Sequence, residues 1–283
     1  MLDDIPGVLR TREAENPLPL VFDSPHSGTD YPADFDHAAP LAVLRMAEDT
    51  HVDALFGAAP RHGGALLAAL FPRSYIDVNR HLADIDPELL AGPWPGEIAP
   101  GEKTKLGIGL IRRLAQPGVP VYTRRLAVAE VERRIARFYR PYHAAIENLI
   151  RDRHRRFGVV WHLDCHSMAS RGSAITPDGP VERSDIVLGD RDGTTCAAEF
   201  TSFAACVLSD LGYAVKINDP YKGMELVRRY ADPGAGRHSL QIEINRKLYM
   251  DEKTREPNAR FERMQRDLTH LVAKLAEFAR ASL

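Results

Sequence analysis

The chain has 283 residues, 44% of them hydrophobic, enough for a substantial core in one large α/β domain or two smaller ones. Its 37 Lys and Arg against 39 Asp and Glu leave a formal charge of −2. That balance removes the electrostatic case for a nucleic-acid partner, which needs a basic face. Cys165, Cys196 and Cys206 form neither a disulfide framework nor a CxxC pair, so a reducing compartment is expected. The acidic start "MLDDIPGVLRTREAENP" is not a signal peptide, and no stretch reaches the roughly 18 apolar residues of a membrane span. The expectation is a cytoplasmic protein with neither nucleic acid nor membrane as partner.

In chain order, "PLPLVFDSP" reads as a short strand ending at Pro25. "LAVLRMAEDTHVDALFGAAPRHG" has helical spacing, with Leu41, Leu44, Val52, Leu55 and Phe56 able to share a face. "GALLAALFPRSYIDVNR" predicts one or two buried strands ending at Asn79–Arg80. The Pro- and Gly-rich stretch over residues 81–107 predicts a long surface excursion.

"AVAEVERRIARFYRPYHAAIENLIRDRHRRF" predicts a long amphipathic helix bent at Pro141, its basic end a solvated face that complements the dipole. "GVVWHLDCHSM" and "SDIVLGDRDG" each predict a strand followed by a polar corner or loop. "TCAAEFTSFAACVLSDLG" predicts a helix and "YAVKIND" a strand. "HSLQIEINRKLYM" predicts a strand with Leu240, Ile242 and Ile244 opposite Gln241, Glu243 and Asn245, and Asn258 to Ala281 a final helix. Strands alternating with helices imply a largely parallel sheet covered on both faces. No linker divides the strands, so a single domain over residues 1–283 is expected.

Ligands in such folds bind beyond the carboxyl ends of the strands. "DSPHSG", "DVNR", "DCHSM" and "EINR" put polar clusters there. His26 and His166 sit on separate strand ends, and two histidines with one carboxylate and an open position are a common zinc set. Glu48, Asp49, Asp53 or Asp30 can supply the carboxylate, and spacing does not choose among them. His162 lies inside an apolar run and reads as a satisfied core histidine, Cys165 as a buried thiol. His51, His62, His81, His143, His154, His238 and His270 have no partner pattern and read as surface or packing residues. Arg80 is either an ion pair closing a strand end or a fork for a substrate carboxylate. Glu243 is either an exposed edge glutamate or a general base toward a water at a metal. No dinucleotide fingerprint, Walker loop or GxSxG elbow is present.

"SPHSGTDYPADF", "FPRSYIDVNR", "YRPYHAAI", "DCHSM", "DIVLGDRDGTTC" and "LQIEINRKLYM", in this order from about Leu20 to about Asp251, resemble the N-formylglutamate amidohydrolase (deformylase) family. The resemblance implies a three-layer αβα sandwich similar to zinc exopeptidases. It also implies a zinc-dependent hydrolase, holding one Zn²⁺, that releases formate and L-glutamate from N-formyl-L-glutamate at the end of a histidine-degradation route. A wider likeness to zinc carboxypeptidases and aspartoacylase matches His26, Asp77 to Arg80, His166 and the base Glu243. Those relatives carry H-x-x-E, whereas Thr29 stands three residues after His26, so the carboxylate ligand must come from elsewhere. The formylglutamate family resemblance includes the acidic pair in "AEDTHVD" and so implies Asp49, then Glu48. Asn79 and Arg80 would hold one substrate carboxylate, and Arg246, Arg171 or the Arg228–Arg229 pair the other. Two rivals remain open: a hydrolase of another N-acyl amino acid, and a metal-free binding protein of the same fold.

Overall fold

The computed structural model describes residues 4–174 and 176–283. In chain order the strands are β1 (Leu9–Arg12), β2 (Leu20–Ser24), β3 (Ala65–Ala69), a short pair β4 (Leu114–Gln116) and β5 (Val119–Pro120), β6 (Val160–Met168), β7 (Ile186–Gly189), β8 (Val215–Ile217) and β9 (Arg237–Asn245). The helices are α1 (Leu41–Arg45), α2 (Val52–Leu55), α3 (Glu102–Lys105), α4 (Val128–Arg134), α5 (Arg140–Phe157), α6 (Ala198–Asp210), α7 (Glu225–Tyr230) and α8 (Phe261–Ala281).

Among the described residues one mixed sheet runs β1-β3-β2-β6-β9-β7-β8. β2 pairs in parallel with both β3 and β6, β6 with β9, and β7 with β8; the β1–β3 and β7–β9 pairs are antiparallel. Alternation along each strand sends side chains to two separate cores. Val21, Leu67 and Ala69 join the core under α4 and α5. Leu20, Phe22, Leu66, Leu163, Ile242 and Ile244 join the core under α2, α6 and α8. The result is the expected α/β arrangement of three layers, with helices on both faces of a mostly parallel sheet.

Several elements depart from their sequence reading. The helix expected from Leu41 is two short helices, and Leu41 is exposed. Between them His51 takes a left-handed φ of 70°, and the break at residues 46–51 carries Glu48 and Asp49. Spacing across two separate helices imitates one stripe, which is why periodicity joined them. β3 ends at Ala69, and Asp77–Arg80 lies beyond it outside any strand; Pro72, which cannot donate to a ladder, stands between them.

The long helix is interrupted by a π-helical turn at Ile135–Tyr139, just before Pro141. Proline has no N–H for the helix ladder, and a wider turn accommodates that loss. It also aims Tyr139, whose hydroxyl donates to the Arg80 carbonyl at 2.9 Å. The excursion over residues 81–107 folds back on itself rather than looping freely. Leu110 N–H donates to Asp84 O at 3.0 Å, and Asp77 N–H donates to Leu110 O at 2.9 Å. Ile85, Leu89 and Leu90 are buried beneath it.

Candidate active site

The corner after β2 is built for close contact. A Cβ at Gly28 would run into the backbone of Leu70 and Phe71, so the residue two after His26 has to be glycine. Ser27 Oγ donates to Asp49 O at 3.0 Å and accepts from the Asp53 N–H at 3.1 Å. The Asp49 N–H donates to His26 O at 2.9 Å. The histidine corner and the break between α1 and α2 are therefore laced together. His166 joins them from β6, where it lies beside Glu243 of β9 in register.

Three donor atoms converge. His26 Nδ1 lies 3.1 Å from His166 Nδ1, His166 Nδ1 lies 3.0 Å from Asp49 Oδ2, and His26 Nδ1 lies 3.4 Å from Asp49 Oδ2. All three residues are buried, and together they can hold a metal ion. Ligands about 2.0–2.2 Å from a tetrahedral ion stand about 3.3–3.6 Å apart, so this triangle needs little adjustment to close on zinc. Asp49, not Glu48, meets the imidazoles. Glu48 is taken up by Tyr31 at 2.8 Å, Thr50 at 3.1 Å and Arg45 at 3.3 Å.

The surroundings hold the donors in a state suited to a cation. His26 Nε2 donates to Asp77 Oδ1 at 2.8 Å, which leaves the Nδ1 lone pair facing His166 and Asp49. Burial alone would raise the Asp77 carboxyl, but Arg73, His26 and Arg80 outweigh it and keep it well below the usual range. Asp49 behaves alike: burial opposes ionisation, and His166, His26 and Arg246 overcome it. Burial works against the His166 imidazolium, yet the Asp164 and Asp49 carboxylates push it well above its ordinary pKa. Asp164 Oδ1 is 2.7 Å from His166 Nε2, but off the line of an aligned hydrogen bond, and both Asp164 oxygens are buried without one. The centre thus demands positive charge; a proton can meet part of that demand, and a divalent cation bonded by all three donors meets more of it.

Asp77 is an outer partner of this kind. Asp77→Asn is expected to weaken divalent-cation affinity about 10–100-fold, measured by competition with a chelator. Unchanged affinity would mean that Asp77 serves only Arg73, whose Nη2 and Nε reach its Oδ2 at 2.7 and 3.1 Å.

A cavity of about 590 Å³ opens on the tripod, lined by Asp49, His166, Glu243, Arg73, Asn79 and Arg80 and also by Arg112, Arg183 and Arg246. Burial pushes Glu243 up to about 7; His166 opposes the shift and the Asp49 charge adds to it. Gln241 Nε2 donates to Glu243 Oε1 at 3.2 Å. This is a buried carboxyl poised near neutrality, unlike an exposed edge glutamate.

Asn79 is at the wall with its amide already engaged: Oδ1 accepts from the Leu226 N–H at 3.0 Å, and Nδ2 lies 3.2 Å from His166 Nε2. Arg80 donates to Asn79 O at 2.9 Å and Ile108 O at 3.3 Å, with Asp77 3.9 Å away. Arg246 lines the cavity but commits its guanidinium to Asp49 Oδ1 at 2.8 Å, Ser167 Oγ at 3.0 Å and Met46 O at 3.0 Å. Arg171 is exposed near Glu182, and Arg228 and Arg229 turn to Glu225. None of these three lines the cavity. Four cavity arginines, Arg73, Arg112, Arg183 and Arg191, escaped the sequence reading. Arg73 was visible only as an i, i+4 partner of Asp77. In Arg112–Arg113 nothing in the sequence marks the first as buried and the second, paired with Asp86 and Glu88, as more exposed.

His162 is the satisfied core histidine expected, held by Asp23 Oδ1 at 2.9 Å and Ser239 Oγ at 2.6 Å. Cys165 and Cys196 are buried free thiols and Cys206 is an exposed one. A larger concavity, about 710 Å³, is lined by Arg10, Arg12, Arg61 and Arg266, all exposed, and has no comparable set of donors. Among the described residues no helix is long and apolar enough to cross a membrane.

Comparison with known proteins places the chain in a family. The crystal structure of an N-formylglutamate amidohydrolase from Ralstonia eutropha superposes with a TM-score of 0.93 at 51% identity, covering 98% of this chain and 100% of that one. The N-formylglutamate deformylases of Pseudomonas putida and Pseudomonas aeruginosa are each 28% identical over 83% of this chain, and over 83% and 84% of their own lengths. A gene product of Agrobacterium tumefaciens, 19% identical, shares the fold at a TM-score of 0.65, with 97% of this chain and 95% of that one covered. The profile of the family described as N-formylglutamate amidohydrolase matches residues 18–250. With a match over most of its length, the chain belongs to the N-formylglutamate amidohydrolase family.

Proposed function

We propose that this protein hydrolyses N-formyl-L-glutamate to formate and L-glutamate, using a divalent cation, with zinc the best match to the donor set, held by His26, Asp49 and His166. The observation that carries the reading is a two-imidazole, one-carboxylate tripod at the base of an arginine-walled cavity, with a buried glutamate beside it. The bound cation would polarise the formyl carbonyl and make water more acidic.

Glu243 takes the proton from the water that attacks the formyl carbon, then passes it to the amide nitrogen as the C–N bond breaks. Arg73 supplies a nearby donor. Its Nε and Nη2 hold Asp77, and Nη1 remains for the developing oxyanion. Arg80, with Asn79 beside it, receives the carboxylate nearest the scissile amide, and Arg246 keeps Asp49 oriented rather than gripping substrate. The cationic wall suits a dianionic substrate on a chain of near-neutral total charge. Formate and L-glutamate are the products that close one histidine-degradation route, and a cytoplasmic setting accords with three free thiols.

Formate release from N-formylglutamate, N-acetylglutamate and N-formylaspartate tests the assignment. The first is expected to give the highest kcat/KM. A higher value for an acetyl or shorter substrate would reassign the enzyme to another N-acyl amino acid. Substoichiometric metal in protein purified without added ions, with no activity on metal readdition, would instead favour a binding protein.

A further inference from the structure

A glutamate substrate carries a second carboxylate, two methylenes beyond the carbon that bears the formylamide. Most guanidinium groups around the cavity already have a protein partner for part of their donors. Arg73 is on Asp77, Arg80 on two backbone carbonyls, Arg183 on Asp178, Arg191 on the Gly223 carbonyl and Arg246 on Asp49. Arg112 is different. It is 8% exposed, its Nε is buried without a partner, and among the described residues no carboxylate or carbonyl bonds its side chain. Burial and the neighbouring Arg73 charge pull it down to about 9, which still leaves it cationic at neutral pH. Keeping a buried charge without a counter-ion is costly, and a bound anion removes that cost.

Its placement is also fixed. Leu110, two residues before it, bonds Asp84 and Asp77 through its backbone, and Ile108 O receives Arg80 Nε. The segment that follows the excursion, residues 108–112, therefore sets Arg80 and Arg112 in one frame. Asn79, next to Arg80, reaches His166, whereas Arg112 also borders an adjoining cavity of about 280 Å³. Arg80 is thus the cation tied to the tripod, and Arg112 the outlying one.

We propose that Arg112 receives the γ-carboxylate of the substrate and so determines the preference for a dicarboxylate. The proposal rests on the N-formylglutamate reading. The test compares N-formyl-L-glutamate with N-formyl-L-glutamine, its neutral isostere, on wild type, Arg112→Gln and Arg112→Lys. Arg112→Gln is expected to lose about 10–100-fold in kcat/KM on N-formylglutamate, chiefly through KM, and to change little on N-formylglutamine. Arg112→Lys, which keeps the charge but loses the fork, is expected to fall between. Inhibition of wild type by L-glutamate and L-glutamine reads the same preference without relying on a variant, with L-glutamate expected to bind tighter. Equal losses on both substrates, an unaltered ratio, or no preference for L-glutamate would overturn the role of Arg112. If wild type hydrolyses N-formylglutamate in any of those cases, the activity stands and only the subsite fails. If wild type releases no formate from it, the activity itself falls, and the subsite with it.

Discussion

Glu243→Gln is expected to retain bound metal and lose at least about a hundredfold in kcat. The amide keeps the size and much of the hydrogen bonding of the side chain, including a group for Gln241 to meet, but it cannot accept and return a proton. Glu243 sits beside His166 in register on the neighbouring strand, so its carboxyl shares the face that carries the tripod. Burial has already raised its proton affinity into the range where exchange with water near neutrality is easy. The sign of the pH effect follows. The base must be ionised, so kcat/KM of the wild type is expected to fall as pH drops through an apparent pKa at or below about 7, because a nearby cation would favour the carboxylate. The residual activity of Glu243→Gln is expected to lack that acid limb. A near-normal rate with the limb intact would remove Glu243 from proton transfer.

His166→Ala is expected to have a still larger effect: loss of stoichiometric metal and of formate release down to background. One donor of three disappears, so the affinity loss should exceed the roughly 10–100-fold that an outer partner costs. The variant also leaves the Asp49 and Asp164 carboxylates facing each other across the space the imidazole filled, with no charge between them. The readouts are elemental analysis and activity with metal added back. Full metal content in His166→Ala would show that this histidine is not a ligand.

How much of this was legible in the sequence depends on whether a feature is local. β6 and β9 were legible because nine-residue strands with alternating or apolar runs leave little ambiguity, and their register puts His162, Asp164 and His166 beside Ser239, Gln241 and Glu243. β1 was missed because "LRTR" is short and polar, an edge strand specified by pairing with β3 rather than by its own residues. The break before α2 was missed because a left-handed His51 has no compositional signal. That break decides the choice between Glu48 and Asp49, which side by side in sequence look equivalent. In the fold, Glu48 turns to Tyr31 and Thr50, and Asp49 to the two histidines.

The arginines illustrate the same limit. "DVNR" drew attention to Arg80 because it follows an apolar run, and Arg80 does line the cavity. Arg246, one of the candidates for the second carboxylate, also lines the cavity, with its guanidinium bonded to Asp49 and Ser167. Arg112 lies just beyond the expected excursion of residues 81–107, in a stretch that no element was predicted for. Its importance comes from Leu110 docking on Asp77, a contact between residues 33 apart that no local pattern encodes.

The most direct measurement is a crystal structure of the protein loaded with one equivalent of Zn²⁺, with the ion located by anomalous scattering. The account predicts a single site bonded by His26 Nδ1, Asp49 Oδ2 and His166 Nδ1, with Glu243 close by and a coordination position open to the cavity. Zinc bound elsewhere, or an anomalous map with no peak between the two imidazoles at full loading, would contradict it.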